Sequence, residues 1–357
     1  MAQKAQALCP ETLPARWYWD EAIFARERAM IFARSWTLLA REEQCLKAGD
    51  YVSGDVAGSP VFVIRDENGE LRGYHNVCRH RAGPILRDGT GHCNLRYGLR
   101  CQYHGWTYDA KGRLEKAPGF AEAPGFDRGQ FRLAPLRVET WNGLVFVCLD
   151  EQTVDLKTWL GDIAGIADGF APISELAFYG EAVQEGGTNW KTYCDNTAEG
   201  YHLPFVHSGL QRAALDFTVA PYETGQFVGF DVTYRTVMNY ASGHSSEEGR
   251  PSRGFWIYKF PLLLLHFSEF GFNLERIIPL GPRRLRLVRW FWFPAGEGNE
   301  KASQVLDAGR LVMQEDLGMC EAVQRNLEAG VYETGRLSPL AEPGTIFLQR
   351  LVRQALG

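Results

Sequence analysis

The chain has 357 residues, 45% of them apolar, enough for a full core and, at roughly 100–200 residues per domain, for two domains. Its formal charge of −5 argues against a nucleic-acid binder, which carries a basic surplus. Eight cysteines without an even framework, no N-terminal apolar core and no apolar run near the roughly 20 residues of a membrane span point to a cytoplasmic protein with reduced thiols.

Residues 15–40 carry Ile23, Phe24, Met30, Ile31 and Phe32 at mixed helical spacing behind Asp20, an acceptable N-cap, and predict an amphipathic lead-in helix. From Gly49 to Leu149 short β-rich runs alternate with turn signals; Asn68-Gly69 and Lys111-Gly112 sit where hairpin turns belong. This predicts a small all-β module ending near Asp150. A mixed segment follows, with a helix over Leu156 to Phe170 and a strand around Leu176 to Gln184. Gln226 to Tyr240, Gly254 to Phe272 and Glu275 to Trp292 read as long strands rich in Val, Phe, Tyr and Ile. Within the last of these, Arg283-Arg284-Leu285-Arg286 extends the pattern as a solvated strand face. Lys301 to Ala329 closes with helical periodicity and no Pro.

Asn76 to Tyr108 contains Cys78-Arg79-His80 and Cys101-Gln102-Tyr103-His104 on Gly-rich loops. Thiolate and imidazole suit zinc or iron–sulfur ligation. A two-Cys-two-His zinc finger places both Cys on a hairpin and both His on a helix, whereas here each loop contributes one of each. That arrangement fits a [2Fe-2S] cluster with Cys78 and Cys101 on one iron and His80 and His104 on the other. The stretch resembles a Rieske domain, including the continuation YHGW at Tyr103 to Trp106. The twenty residues between His80 and Cys101 exceed the usual spacing and read as a longer surface hairpin around Gly89 to Tyr97. High-potential respiratory members join their loops through an extra Cys in each. Gly83 and Tyr103 stand at those places, so the resemblance is to the low-potential ferredoxin and oxygenase branch. Cys9, Cys45, Cys93, Cys148, Cys194 and Cys320 read as ordinary core or surface residues, and His92 as loop.

Residues 189–207, NWKTYCDNTAEGYHLPFVH, place His202 and His207 about 140° apart on an ideal helix, so they converge only with a distortion that Pro204 can supply. From spacing alone, two unrelated surface histidines remain an open reading. Behind a Rieske-like module, the carboxylate-x2-His-x4-His segment resembles that of the Rieske non-haem iron oxygenases. The resemblance implies that His202 and His207 bind a mononuclear Fe(II), completed by a carboxylate of a C-terminal helix. Asp316, in Gln314-Glu315-Asp316-Leu317, fits that place, with Glu315 and Glu321 as alternatives. An inward Asp316 puts Val312, Met313, Cys320 and Val323 on nearby or flanking helix faces; the competing reading leaves Glu315 and Asp316 as solvated charges. Glu199 takes the place of a bridging carboxylate, usually Asp, between a mononuclear-site His and a Rieske His across a subunit interface. Glu at this place resembles members acting on carnitine or other quaternary ammonium compounds. Asp195 and Asn196 are candidates for groups around the ligands, and Asp195 equally for a helix cap.

The resemblance implies an α+β fold: an N-terminal all-β Rieske [2Fe-2S] domain plus a helix-grip catalytic domain with a curved antiparallel sheet and a long C-terminal helix. The expected division is a helical lead-in packing on the catalytic domain (1–40), the Rieske domain (41–150) and the mononuclear-iron catalytic domain (151–357). It further implies the α subunit of a terminal oxygenase, using dioxygen and external electrons to hydroxylate, dihydroxylate or oxidatively demethylate a small aromatic or quaternary ammonium substrate. The sequence has no Gly-rich dinucleotide fingerprint and no four-Cys cluster motif, so NAD(P)H acts through a separate flavin reductase or ferredoxin. A head-to-tail homotrimer, with or without a small β subunit, would place Glu199 between His104 of one chain and His202 of the next. The competing classes are a Rieske electron carrier without oxygenase activity and a zinc-stabilised interaction protein. An aromatic content of 13% allows either an apolar pocket or a cation–π cage.

Overall fold

The structure, a computed structural model, describes residues 9–121, 123–207, 215–234, 252–269, 271–295 and 299–357. The chain divides into two compact units, Arg28–Leu156 on the one hand and the residues up to Glu27 with Lys157–Gly357 on the other. Asp20 caps helix α1 (Glu21–Glu27), its Oδ1 accepting from the N–H groups of Ala22 and Ile23. The expected lead-in helix is shorter than its pattern. After a π-helical turn at Arg28–Phe32 the chain enters strand β1 (Thr37–Arg41), because Leu38, Leu39 and Ala40 are all buried in a sheet.

The unit Arg28–Leu156 is built from β1, β2 (Asp50–Val56), β3 (Ser59–Arg65), β4 (Leu71–His75), β5 (Gly89–His92), β6 (Leu99–Arg100), β7 (Thr107–Tyr108), β8 (Leu114–Lys116), β9 (Pro135–Trp141) and β10 (Leu144–Cys148). Among the described residues, seven strands form one antiparallel sheet in the order β1-β10-β9-β4-β3-β2-β5, and β6, β7 and β8 form a second. Strand β3 explains the layering, since successive side chains point to opposite faces. Val61 and Val63 join Leu39, Val145 and Val147 in one core, while Phe62 and Ile64 join Tyr74, Trp106 and Tyr108 in another. The second core carries the Cys/His loops.

Asn68-Gly69 turns β3 into β4, with Asp66 accepting from the N–H groups of Asn68 and Glu70; Lys111-Gly112 turns β7 into β8. The segment between His80 and Cys101 does not form its own hairpin. Its strand β5 pairs with β2 as a sheet edge, a 3-10 turn follows at Leu95–Tyr97, and His92 is strand rather than loop, with Nδ1 2.9 Å from Asp50 Oδ1.

In the other unit the expected helix over Leu156 to Phe170 is two short ones, α2 (Leu156–Leu160) and α3 (Ile163–Ala167), broken at Gly161. Gly161 has φ +58° and a Cβ there would stand 2.7 Å from the Gly225 backbone, so both conformation and space require glycine. The sheet of this unit comprises β11 (Leu176–Gly186), β12 (Leu215–Tyr222), β13 (Phe227–Tyr234), β14 (Ser252–Lys259), β15 (Leu263–Ser268), β16 (Gly271–Gly281) and β17 (Arg284–Pro294). Its curved, fully antiparallel order is β11-β17-β16-β15-β14-β13-β12, with bulges at Phe178/Gly180 and Pro279/Gly281 that add twist.

Two expected long strands are hairpins. Phe260 to Leu262 separates β14 from β15, and Pro282-Arg283 separates β16 from β17; the expected strand part 235–240 lies outside the described residues. The basic run does lie on a strand face, where Arg284 and Arg286 pair with Glu185 around a buried Leu285. Helices α4 (Trp190–Thr197), α5 (Leu203–Val206), α6 (Asn299–Glu328) and α7 (Pro343–Leu356) complete the unit. Ala302, Leu306, Met313, Leu317 and Cys320 of α6 are buried at helical spacing, the stripe expected of a helix gripping a sheet. No described helix is long and apolar enough to cross a membrane.

Candidate metal centres

Both Cys/His loops are closed by short backbone hydrogen bonds. Cys78 N–H donates to Gly83 O and Ala82 N–H to Cys78 O; Cys101 N–H donates to Trp106 O and Gly105 N–H to Cys101 O. Ala82 and Gly105 both take positive φ, at +54° and +74°. Gly83 faces the second loop so closely that a Cβ there would stand 2.9 Å from Tyr103 Cβ and 3.1 Å from Cys101 Sγ. Gly83 and Tyr103 thus face each other, and a side chain at residue 83 would push into Cys101 Sγ.

Cys78 and Cys101 are buried, and Tyr108 supports the first, its hydroxyl 3.2 Å from Cys78 Sγ and accepting from Arg79 N–H. His104 is exposed and its ring centroid lies 4.7 Å from that of His80, which stacks on buried Trp106 at 4.9 Å. His80 Nδ1 is buried without a hydrogen-bond partner, which is how an imidazole nitrogen stands when it serves as a metal ligand. Burial, then the charges of His104 and Arg81, lower its pKa and favour the neutral form that ligates. Burial raises the pKa of Cys78 against the opposing Tyr108 hydrogen bond. Two buried thiols inside and two imidazoles outside fit a cluster with chemically distinct irons.

In the other unit α4 is fixed by an extensive buried polar set. Asn189 caps it by accepting from Lys191 N–H and ties it to Pro282 O; Lys191 pairs with Glu27, which also accepts from Trp190 Nε1 at 2.7 Å. The helix ends at Thr197, so Glu199 lies just beyond it, in the link to His202. There its carboxylate accepts from the N–H of His202, at 3.1 Å, and of Tyr201, and its Oε1 stands 2.6 Å from His202 Nδ1.

His202 and His207 flank the four-residue helix α5, one at each end. Pro204 therefore does not kink a helix passing through both histidines. It sits in the first turn, where no N–H donor is needed, and the short helix itself brings the rings to a 5.2 Å centroid separation. Asp316 of α6 is buried, and its Oδ1 lies 2.9 Å from His207 Nε2 and 3.5 Å from His202 Nε2. Asn196 Nδ2 donates to the same oxygen at 2.7 Å. One ligand atom from each of His202, His207 and Asp316 lies within 4.8 Å of the others, a two-His, one-carboxylate set that can hold one divalent ion.

The alternatives to Asp316 are otherwise engaged. Glu315 Oε2 stands 2.7 Å from His207 Nδ1, the nitrogen turned away from the set, and Glu321 Oε1 accepts from Gly187 N–H. Each histidine is thus held by a carboxylate on Nδ1 and presents Nε2, the arrangement that fixes the tautomer of a metal-bound imidazole. Burial works against a charge on His207, but Asp316 and Glu315 outweigh it and raise its pKa; the same carboxylates favour a metal cation at Nε2. Met313 and Cys320 are buried, Val312 lines the adjoining cavity, and Val323 lies exposed on the flank. Asp195 is neither an N-cap nor beside the set: its Oδ2 accepts from Tyr18 Oη and Gln349 Nε2.

A cavity of about 250 Å³ adjoins these three residues, below the roughly 300–1,000 Å³ of drug-sized sites and so suited to a small substrate. Val305, Ala308, Gly309, Val312 and Asp316 of α6 line one side. Across the sheet, Phe230, Trp256, His266, Asn273 and Phe291 follow one another in register and all line the other. His266, Asn273 and Arg289 were not singled out in the sequence; polar residues within alternating strands read as the solvent face, and only the sheet's closure over the cavity reverses that.

Paired Cys/His loops on a β unit, and a two-His, one-carboxylate set gripped between a curved sheet and a long helix, define an iron-dependent oxygenase class. Residues 35–135 match the Rieske [2Fe-2S] domain and residues 173–357 the ring hydroxylating alpha subunit (catalytic domain). The chain belongs to the ring-hydroxylating oxygenase alpha-subunit family. It is 30% identical over 345 residues to the chloroplastic choline monooxygenase of Beta vulgaris, covering 93% of this chain and 74% of that protein. It is 28% identical over 365 residues to the carnitine monooxygenase oxygenase subunit of Acinetobacter pittii (strain PHEA-2), covering 96% and 94%. The fold is similar to that of the quaternary ammonium Rieske monooxygenase CntA in complex with L-carnitine, with a TM-score of 0.83, 25% identity, and 98% and 96% of the two chains covered.

The protein is accordingly a Rieske-type oxygenase whose cofactors are a [2Fe-2S] cluster and a mononuclear iron. It acts on a small organic molecule with dioxygen and electrons supplied by a separate electron-transfer partner. The catalytic-domain match sets aside a Rieske electron carrier without oxygen chemistry, and the Rieske match sets aside a structural zinc site.

Proposed function

We propose that this oxygenase hydroxylates a C–H bond of a small quaternary ammonium compound. The observation that carries the reading is the wall of Phe230, Trp256, Phe291 and Phe293 in the cavity beside His202, His207 and Asp316, because aromatic faces attract a cation that offers no hydrogen-bond donor. The choline and carnitine monooxygenases among its relatives support the same substrate class. In this reading Cys78, His80, Cys101 and His104 hold the cluster, and His202, His207 and Asp316 hold the iron. When bound, the two groups supply one-electron transfer and dioxygen activation. Glu199 and Glu315 keep a proton on each Nδ1 so that both Nε2 lone pairs face the ion, and Asn196 orients Asp316. The reaction balances as substrate C–H with dioxygen, two electrons and two protons, giving C–OH and water. The electrons come from a flavin reductase or ferredoxin.

The active form in this reading is a cytoplasmic homotrimer, with or without a small β subunit. Glu199 lies between its own His202 and His104 of a neighbouring copy. Support comes from the exposure of His104 and from Tyr201 and Phe205, exposed aromatic side chains next to Glu199 and His202 that are 58% and 80% accessible. Anaerobically reduced protein given ¹⁸O₂ should convert a choline- or carnitine-type compound to a product carrying one labelled oxygen, and leave tert-butylbenzene unchanged. Oxidation of the hydrocarbon alone would overturn the substrate class.

A further inference from the structure

Strand residues two apart share a face, so the row Phe230, Trp256, His266, Asn273 and Phe291 is followed on the same face by Glu275 paired with Arg289. Arg289 is the one Arg or Lys among the described residues that line the cavity. Its Nε and Nη2 both bind Glu275 Oε2, at 2.7 and 2.6 Å, and Glu275 Oε1 accepts from Tyr193 Oη at 2.6 Å. This pairing fixes the plane of the guanidinium and leaves Nη1 outside it. Nη1 reaches the helix across the cavity, where a Cβ built on Gly309 would stand 3.5 Å from it and 2.9 Å from Phe291 Cζ. Glycine at that point of α6 puts no side chain of its own against Nη1.

The neighbouring groups are polar but uncharged. Burial, then the charge of Arg289, pulls the His266 pKa down to about 3, so it faces the cavity as a neutral imidazole. Asn273, its cross-strand neighbour, lines the cavity beside it. The lining carboxylates, Glu199 and Asp316, both belong to the histidine set. The cavity thus has carboxylates where the iron would sit, an aromatic wall, and a fixed guanidinium edge flanked by neutral polar groups. Arg289 and Asp316 line the same cavity of about 250 Å³, which leaves room only for a short ligand between the metal set and the guanidinium.

We propose that Arg289 is the specificity-determining residue of this cavity and that the substrate is a short betaine, an ammonium and a carboxylate a few bonds apart, rather than an amino alcohol. Because Glu275 already balances the guanidinium charge, recognition rests on the directed N–H groups of Nη1, which favour a carboxylate acceptor over a hydroxyl or an ester. The inference rests on the quaternary ammonium reading and adds the anionic end.

The test measures binding by calorimetry to the metal-loaded protein, kept oxidised and anaerobic, with four probes: γ-butyrobetaine, its methyl ester, choline, and 5,5-dimethylhexanoate, which replaces the ammonium nitrogen by carbon. A carboxylate accepting from a fixed guanidinium should make γ-butyrobetaine bind about 10- to 100-fold tighter than its ester and than choline. The double substitution Arg289→Met with Glu275→Gln removes both buried charges together and should erase that preference while sparing ester binding. Equal binding of the acid and the ester by the wild-type protein overturns the proposal, and so does a preference that survives the double substitution. The wild-type comparison decides the matter even if the double variant does not fold. If 5,5-dimethylhexanoate binds as tightly as γ-butyrobetaine, the ammonium reading fails while the anion site stands; if choline binds tightest, the anion site fails while the ammonium reading stands.

Discussion

Replacing Glu315 by Ala removes the acceptor that stands 2.7 Å from His207 Nδ1 and leaves the three converging ligand atoms in place. Loss of a carboxylate that orients a metal-bound imidazole costs about 10- to 100-fold in metal affinity, or about 1.4–2.8 kcal/mol. The Glu315 side chain is 28% accessible, against 10% for Glu199 on the other histidine, so water replaces part of what is lost. The expectation is therefore the lower part of that range, about 10- to 30-fold, with Glu315→Gln closer to wild type because its amide oxygen still accepts from Nδ1. Anaerobic competition for Fe(II) against a chromophoric chelator reads this directly, with the cluster absorbance as an internal measure of intact protein. Iron affinity within about twofold of wild type would refute the positioning role. Complete loss of iron would refute it in the other direction, making Glu315 a ligand.

Asp316→Ala should lose the mononuclear iron and keep the cluster spectrum; retention of that iron would remove Asp316 from the ligand set. Glu199→Gln, nearly isosteric and uncharged, should keep both metals and slow cluster oxidation in single turnover by at least about tenfold; near-normal kinetics would exclude Glu199 as the bridge between copies. Burial raises the Asp195 pKa to about 7, against the ordinary 3.8, so the folded state binds its proton more tightly than the unfolded state does. The stability this contributes is full below about pH 4 and is lost as pH rises through about 7. Asp195→Asn, permanently neutral, should therefore gain in melting temperature relative to wild type between pH 5 and 8, and a constant difference across that range would contradict the buried-acid account.

What was legible in the sequence was chemistry carried by contiguous motifs. The Cys/His loops, the Glu199–His202–His207 spacing and the acidic pair on the last long helix each declare their ligand types within a few residues. Asn68-Gly69 and Lys111-Gly112 likewise declare their turns, because a positive φ is a local demand. What failed was inference that needed tertiary partners. Pro204 suggests a distortion inside a longer helix, whereas the helix is only as long as the gap between the histidines. Residues 33–40 continued a helical pattern until strand β10 paired with Thr37–Arg41 and made them a strand. The segment from Gly89 to Tyr97 looked like an isolated hairpin because nothing local shows that Asp50–Val56 offers it a free edge. Glu315 and Asp316 could not be ranked by composition, since only the rotation of α6 decides which carboxylate meets Nε2 and which meets Nδ1.

The central claim is that one chain carries a Rieske cluster and a separate mononuclear iron for oxygen chemistry. Iron and acid-labile sulfide, quantified together in anaerobically purified protein, test it most directly. The account predicts about three irons to two sulfides per chain, falling to about two to two in the Asp316→Ala protein. A wild-type ratio of about one, or zinc in place of iron, contradicts it.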